Sequence, residues 1–211
     1  MPGVLAIWHD LEDSYSERYE RWLVTEHIPE RLALPGFLEA RRYEAVSGGP
    51  RFFIRYTVAS PDSLASPEYL ARLASPTPQT REVMKGFRNM VRTACSVAYH
   101  SPRQGLGAFA VAACTERPAA VDAAGLERDP CIIGVQVWKA AGGTAGATSS
   151  EAKLRPGGDR SIEAALVVEV MREKDGEALE GRVGAALGRG VGVHAVTYRL
   201  LGAWRGSGAD S

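Results

Sequence analysis

The reactive side chains crowd into one stretch, from Trp22 to Tyr43. It holds His27 between Glu26 and Glu30, then Arg31, and further on Arg41, Arg42 and Tyr43. An imidazole titrates near neutrality, so a histidine beside carboxylates has the means to move a proton. Pro29 disturbs the helix around it, because a proline ring removes a backbone donor and crowds the preceding turn. A helix end disturbed in this way exposes a ring to a cleft and frees backbone groups that can hold a substrate oxygen. The same residues also admit a plainer reading. His27 would then cap a helix or bond a backbone carbonyl, with Glu26, Glu30 and Arg31 as a solvated face.

Strand parity adds candidates, since alternate residues point to opposite faces of a sheet. Arg41 and Tyr43 share one face of their strand, and Arg42 and Glu44 share the other. Tyr56 lies with Phe52 and Ile54, whereas Arg55 lies with Arg51 and Phe53. An arginine turned into a buried layer needs a carboxylate or an anionic ligand. Internal pairing with Glu39 or Glu44 is the reading for most of them; recognition of a substrate carboxylate or enolate is the other. The candidate catalytic residues are therefore His27, Tyr43 and Tyr56. The candidate substrate-binding residues are Trp8, Arg41, Arg55 and Trp22. His9 and His100 stand at strand ends and read as surface, and His194 reads as a core histidine. No spacing brings histidines together for a metal, and nothing favours a haem or another cofactor. Gly188-Arg-Gly190-Val-Gly192 follows a helix and precedes a strand, the reverse of a nucleotide-binding loop.

The elements that must position these residues follow from periodicity and turn chemistry. Gly3 to His9 reads as a buried strand, and Asp13-Ser14 opens a helix carrying Tyr15, Tyr19, Trp22 and Leu23. A kink or a second short helix covers Glu26 to Leu32, and Pro35-Gly36 is a turn. Phe37 to Val46 and Arg51 to Ala59 are strands joined at Ser47-Gly48-Gly49-Pro50. A proline-interrupted helical region runs from Ser60 to about Met90, and Val91 to His100 is a fourth strand. This is the β-α-β-β-α-β order of a ferredoxin-like unit. The order recurs with strands at Leu106 to Thr115, Cys131 to Ala141, Ile162 to Met171 and Gly190 to Trp204. Helices at Arg117 to Arg128 and Glu173 to Arg189 complete it. The fold class expected is α+β, with tandem ferredoxin-like units forming a pseudo-dimeric α/β barrel divided at 1–103 and 104–205. Gly142 to Ser161, rich in Gly, Ala, Ser and Thr, reads as a mobile loop. The tail after Trp204 reads as disordered.

The run Glu26-His27-Ile28-Pro29-Glu30-Arg31, followed by Pro35-Gly36-Phe37 and the Arg-Arg-Tyr strand, resembles the EthD-like branch of the dimeric α/β-barrel superfamily. The resemblance covers roughly residues 3 to 100, with the second half a degenerate copy that lacks the His-x-Pro. It implies the barrel fold and His27 as the acid/base. The superfamily spans cyclases, lactone isomerases, monooxygenases and haem-handling enzymes, so the resemblance does not select a reaction.

Composition trims the remaining classes. The 211 residues carry 25 Lys+Arg against 25 Asp+Glu, which provides no cationic field for nucleic acid. No apolar run approaches the roughly 20 residues of a membrane span. The apolar start has no basic region before it, as a secretory signal would, so a cytoplasmic location is expected. Three cysteines, Cys95, Cys114 and Cys131, read as small core residues. The function expected is a cofactor-free lyase, isomerase or cyclase acting on an oxygenated organic acid or ketone. A ligand-binding or stress-related module and a cofactor-using monooxygenase are the alternatives. The partner is a small-molecule substrate or ligand, without nucleic acid or membrane. A homodimer is compatible with the exposed edges of a fused pair.

Overall fold

The computed structural model describes residues 1–117, 120–142, 149–188 and 194–206. Eight antiparallel strands close into a barrel in the order β1-β3-β2-β8-β5-β7-β6-β4. They are β1 (Gly3–Leu11), β2 (Phe37–Ala45), β3 (Phe52–Val58), β4 (Phe87–Gln104), β5 (Phe109–Thr115), β6 (Ile132–Ala140), β7 (Ala164–Val170) and β8 (Ala195–Arg205). The first four strands lie side by side as β4-β1-β3-β2, and the last four as β8-β5-β7-β6. The second run repeats the first with every number raised by four. The seams are β2 against β8, with Arg41 opposite Ala203, and β4 against β6, with Val97 opposite Trp138.

Helices cover the outside. Over the first half lie α1 (Ser16–Trp22) and α2 (Ile28–Leu32), joined by a π-helical turn at Leu23–His27, then α3 (Pro67–Ala74) and α4 (Pro78–Val83). Pro29 therefore does not break the helix. The Ile28 amide bonds back to the Leu23 carbonyl, five residues away. That widened turn absorbs the position where proline has no hydrogen to donate. Over the second half lies α5 (Glu173–Leu187).

The helix expected at Arg117 to Arg128 is not formed among the described residues. Leu126 and Asp129 donate three residues back, to Ala123 and Leu126, and the Asp129 side chain takes the Cys131 amide. These turns tuck Ala123 and Leu126 under α5 and leave no length for a helix. His194 is also not a core residue; it is exposed and precedes β8, which starts only at Ala195. Cys95 is buried, whereas Cys114 and Cys131 are half-buried. Residues 143–148 of the expected mobile loop, the tail at 207–211 and most of the Gly188–Gly192 run lie outside the described residues. The remainder of that loop is ordered. Its segment 149–161 is a strap with a short helix at Ala152–Leu154, and it crosses to the first half to cover that half's outer layer. Two backbone bonds hold it to β4, Arg160 N–H to Met90 O and Arg92 N–H to Arg160 O, both 2.9 Å.

Inside the barrel, Trp8 stacks on Phe53 at 4.8 Å and Phe53 on Tyr43 at 5.2 Å, against small alanines of β5 and β7. Towards one end sits a charge-balanced network. Arg41 meets Glu39 at 2.8 Å and Glu169 at 3.1 Å, and Arg55 reaches the same two carboxylates at 3.8 and 4.0 Å. Glu169 also accepts from the Tyr43 hydroxyl and the Gly107 amide, each at 3.1 Å. Removing one partner of a buried pair leaves the other charge uncompensated, at a cost of about 3 kcal/mol. Glu169→Gln is accordingly expected to lower unfolding free energy by about 3 kcal/mol in urea titrations. A loss below about 1 kcal/mol would mean that Glu39 alone neutralises both guanidiniums.

Candidate active site

Between the outer face of the first-half sheet and its helices lies a narrow cavity of about 30 Å³, whose walls include His9, Tyr19, Trp22, His27, Met84 and Phe87. His27 ends the π-helical turn, and its ring lies 4.3 Å from that of Trp22 and 6.4 Å from that of Tyr56. Such turns insert one extra residue and so re-aim a side chain that a regular helix would turn elsewhere. Burial, and next the charge of Arg31, hold the His27 imidazole well below its ordinary pKa. The ring is neutral at pH 7.

The flanking carboxylates do not orient it. Glu26 accepts from the Trp22 indole at 3.2 Å and from Thr80 at 3.0 Å, while Glu30 binds Arg72 at 3.0 Å. His27 Nδ1 is buried without a hydrogen-bond partner, and so are the Tyr56 hydroxyl and Arg31 Nη1. The other arm of Arg31, Nη2, holds Glu151 of the strap at 2.5 Å. Burial pushes the Glu151 carboxyl up, but Arg31, His27 and Arg155 together outweigh it and hold the group at about 2. Tyr56 is pushed far above its ordinary value by burial, so its oxygen keeps its proton.

A second histidine lies at the far wall. His9 Nε2 is 3.1 Å from the Tyr19 hydroxyl and Nδ1 is 3.2 Å from the Asp10 carbonyl. A carbonyl can only accept, so Nδ1 carries the hydrogen and Nε2 accepts from Tyr19. Burial holds this ring at about 3.

The seven residues singled out in the sequence fall on two faces of one sheet. His27, Tyr56 and Trp22 meet in the helix-side layer. Tyr43, Arg41, Arg55 and Trp8 lie inside the barrel, and one substrate cannot touch both groups. Arg41 and Arg55 are the internal ion pairs that parity suggested. Trp8 and the exposed His194 border a wider cleft of about 400 Å³ at a barrel mouth. His9 is fully buried and not a surface residue, because it shares the helix-facing parity of Leu5, Ile7 and Leu11. That alternation was the available signal for it. For Glu151 and Arg155 the only signal was a charged pair four residues apart within a stretch of small residues. Among the described residues no three His, Cys, Asp or Glu side chains converge as metal ligands.

No sequence-family model matches this chain, and no curated protein does. Solved structures do. A structure of an anthrone oxidase-like protein superposes with a TM-score of 0.62 at 14% identity, covering 99% of this chain and 94% of that one. A protein proposed to be a monooxygenase, from Fusobacterium nucleatum subsp. nucleatum, gives 0.51 at 8% identity over 97% and 94%. One proposed to be a chlorite dismutase gives 0.52 at 11% identity over 95% of each chain. The fold is that of the dimeric α/β barrels. At these identities the likeness concerns fold, and chemistry has to be argued from the side chains. No helix among the described residues is long and apolar enough to cross a membrane.

Acid stability follows from the buried groups. In the unfolded chain His9 takes a proton near its ordinary 6.5, but in the folded protein only near 3. Between those values the unfolded state binds more protons, so stability is complete above pH 6.5 and falls on acidification, by on the order of 4 kcal/mol for this ring. Glu151, ordinarily 4.5 and held at about 2, adds a further loss below pH 4.5. The melting temperature is expected to fall from pH 6.5 to pH 3, and to fall less steeply in His9→Gln. An unchanged slope in that variant would place the acid sensitivity elsewhere.

Proposed function

We propose that the chain is a small-molecule acid/base enzyme that removes a proton next to a carbonyl, with His27 as the base. The observation that carries this reading is the unpartnered Nδ1 of a neutral, buried imidazole set in an aromatic cavity. Enclosure suits the task, since a carbanion or enolate formed in a water-poor site is protected from reprotonation by solvent. Tyr56 stands on the same side as His27 and is the tyrosine proposed to act with it; Trp22 lines the site. The interior residues Tyr43, Trp8, Arg41 and Arg55 are proposed to have no contact with substrate there. The space is about 30 Å³, close to one water, so an organic substrate has to displace wall. Met84, a flexible thioether, and the 149–161 strap are the parts able to give.

Two fates of the carbanion are distinguishable. Return of the proton at another position makes an isomerase, attack of the carbanion on a second carbonyl of the same molecule makes a cyclase, and expulsion of a leaving group from the neighbouring carbon makes a lyase; none of these needs a cofactor. Transfer to dioxygen makes an oxygenase, and the likeness to the anthrone oxidase-like protein and the proposed monooxygenase favours this second reading. For an anthrone, one oxygen atom enters the ring ketone and the other leaves as water. A cofactor-using version would show itself as haem or flavin absorbance that stays with the protein through gel filtration.

Support for descent from the EthD-like branch comes from the His27-x-Pro29 motif and the Pro-Gly turn ahead of β2. Support for a tandem pair of ferredoxin-like units comes from the two strand runs of identical order, with 1–103 and 104–205 as the halves; that division falls at the end of β4. A homodimer of this fused pair is proposed as well, with a small molecule as the ligand and the cytoplasm as the location.

The test is incubation with anthrone in air. Oxygen uptake and anthraquinone are followed in parallel with deuterium incorporation in D2O. Wild type is expected to accelerate exchange, and His27→Gln to lose about 10²–10⁴-fold of that rate with its fold retained by circular dichroism. Exchange with oxygen uptake selects the oxygenase; exchange without it selects the isomerase class. A His27→Gln rate equal to wild type would remove His27 from the chemistry. Ligand-induced stabilisation without turnover would leave a binding module.

A further inference from the structure

Three buried polar atoms without partners belong to side chains of one region: His27 Nδ1, Arg31 Nη1 and the Tyr56 hydroxyl. Their residues are 7%, 2% and 0% exposed. The rings of His27 and Tyr56 are 6.4 Å apart, and Arg31 is the strongest charge acting on each of them. Orphaned groups of this kind are rare because each forfeits its hydrogen bond to water. Among the described residues five further buried atoms lack hydrogen-bond partners, on Arg41, Arg42, Arg55, Glu127 and Thr197; these three differ in that their characters are complementary. A guanidinium nitrogen can only donate, a protonated tyrosine can donate, and a neutral imidazole nitrogen without hydrogen can only accept.

We propose that Arg31 Nη1 and the Tyr56 hydroxyl hold the carbonyl oxygen of the substrate while it becomes an enolate or phenolate, and that Glu151 is the positioning residue that aims Arg31 at it. The assignment rests on the reading of His27 as the base. In the step, the acidic C–H or O–H bond breaks and the proton passes to His27 Nδ1. The electron pair delocalises onto the oxygen held by Arg31 and Tyr56, giving an enolate or phenolate and an imidazolium. The substrate class that fits is a planar enolisable ketone or a phenol.

Glu151 enters because one arm of a guanidinium fork fixes the other. Its carboxylate takes Arg31 Nη2 at 2.5 Å, which leaves Nη1 directed away from it and free. Glu151 belongs to the strap, and its own amide is tied to the Leu73 carbonyl at 3.1 Å. The strap is inserted between β6 and β7 of the second half. The second half therefore supplies a part of the first half's site, which is complete only with the strap in place.

The probe is 4-nitrophenol, whose phenolate has its own visible band, titrated against the full chain across pH. The wild-type protein is expected to bind it as phenolate and to lower its apparent ionisation by about one pH unit, a tenfold preference for the anion. Tyr56→Phe and Glu151→Gln should each weaken phenolate binding about tenfold, with Glu151→Asp recovering part of the loss. Dye bound with unshifted ionisation, no binding at millimolar dye, or equal affinity in Tyr56→Phe would overturn the proposal. Tyr56→Phe keeps the test decisive if Glu151→Gln does not fold. Phenolate binding as expected, with no His27-dependent exchange on anthrone, would remove the base and leave the oxygen site standing. His27-dependent exchange with an unshifted dye would do the reverse.

Discussion

Closure of the sheet is the constraint on which everything else depends. A closed barrel has no edge strands, and layers cover much of its outside, so most of these strands are buried on both faces. A polar residue on such a strand must find its partner within the protein. On the inner face the partners are supplied strand to strand: two arginines face two glutamates, and a tyrosine hydroxyl and a backbone amide complete the second carboxylate. That face is charge-neutral. Its polar groups are committed to one another, which is why the arginines that look most available in the sequence are the least free in the fold.

The outer face of the first half behaves differently. Arg42 is met by Glu20 of α1 and His9 by Tyr19, so helix residues neutralise what β1 and β2 present. Around His27 that compensation stops short. The π-helical turn that carries the chain past Pro29 delivers the imidazole into the layer, Arg31 follows one turn later, and the carboxylate paired with Arg31 arrives from the strap. One arm of the guanidinium, one imidazole nitrogen and one phenol remain unmatched. A low-dielectric layer makes such groups costly when unpaired and strong when a ligand pairs them. Reactive potential here lies in unmatched groups of complementary character within one layer.

The strap gives the second half a part in this. That half lacks a histidine motif and, among the described residues, a helix between β5 and β6, yet it completes the barrel and covers the cavity of the first half. Buried Glu151 and Arg155 lie in a strand connection whose backbone is bonded to Leu73 at Glu151 and to β4 at Arg160. The connection's small-residue composition suits a loop, but its charged end is packed.

Local chemistry was legible in the sequence. Alternation along β2 and β3 placed Arg41 with Tyr43 and Arg55 with Phe53, and periodicity with turn residues placed all eight strands to within a few residues. Both follow from the geometry of a single strand or helix, which neighbours do not alter. The candidate base was equally legible, since His27 and Pro29 are adjacent. Two matters were decided only by tertiary structure. One is which strand face looks inward: parity sorts residues into two sets but does not say which set enters the barrel, and so Tyr43 and Tyr56 became separated by the sheet. The other is pairing across long sequence distance. Arg31 and Glu151 are 120 residues apart, and no periodicity links residues that only barrel closure brings within 3 Å.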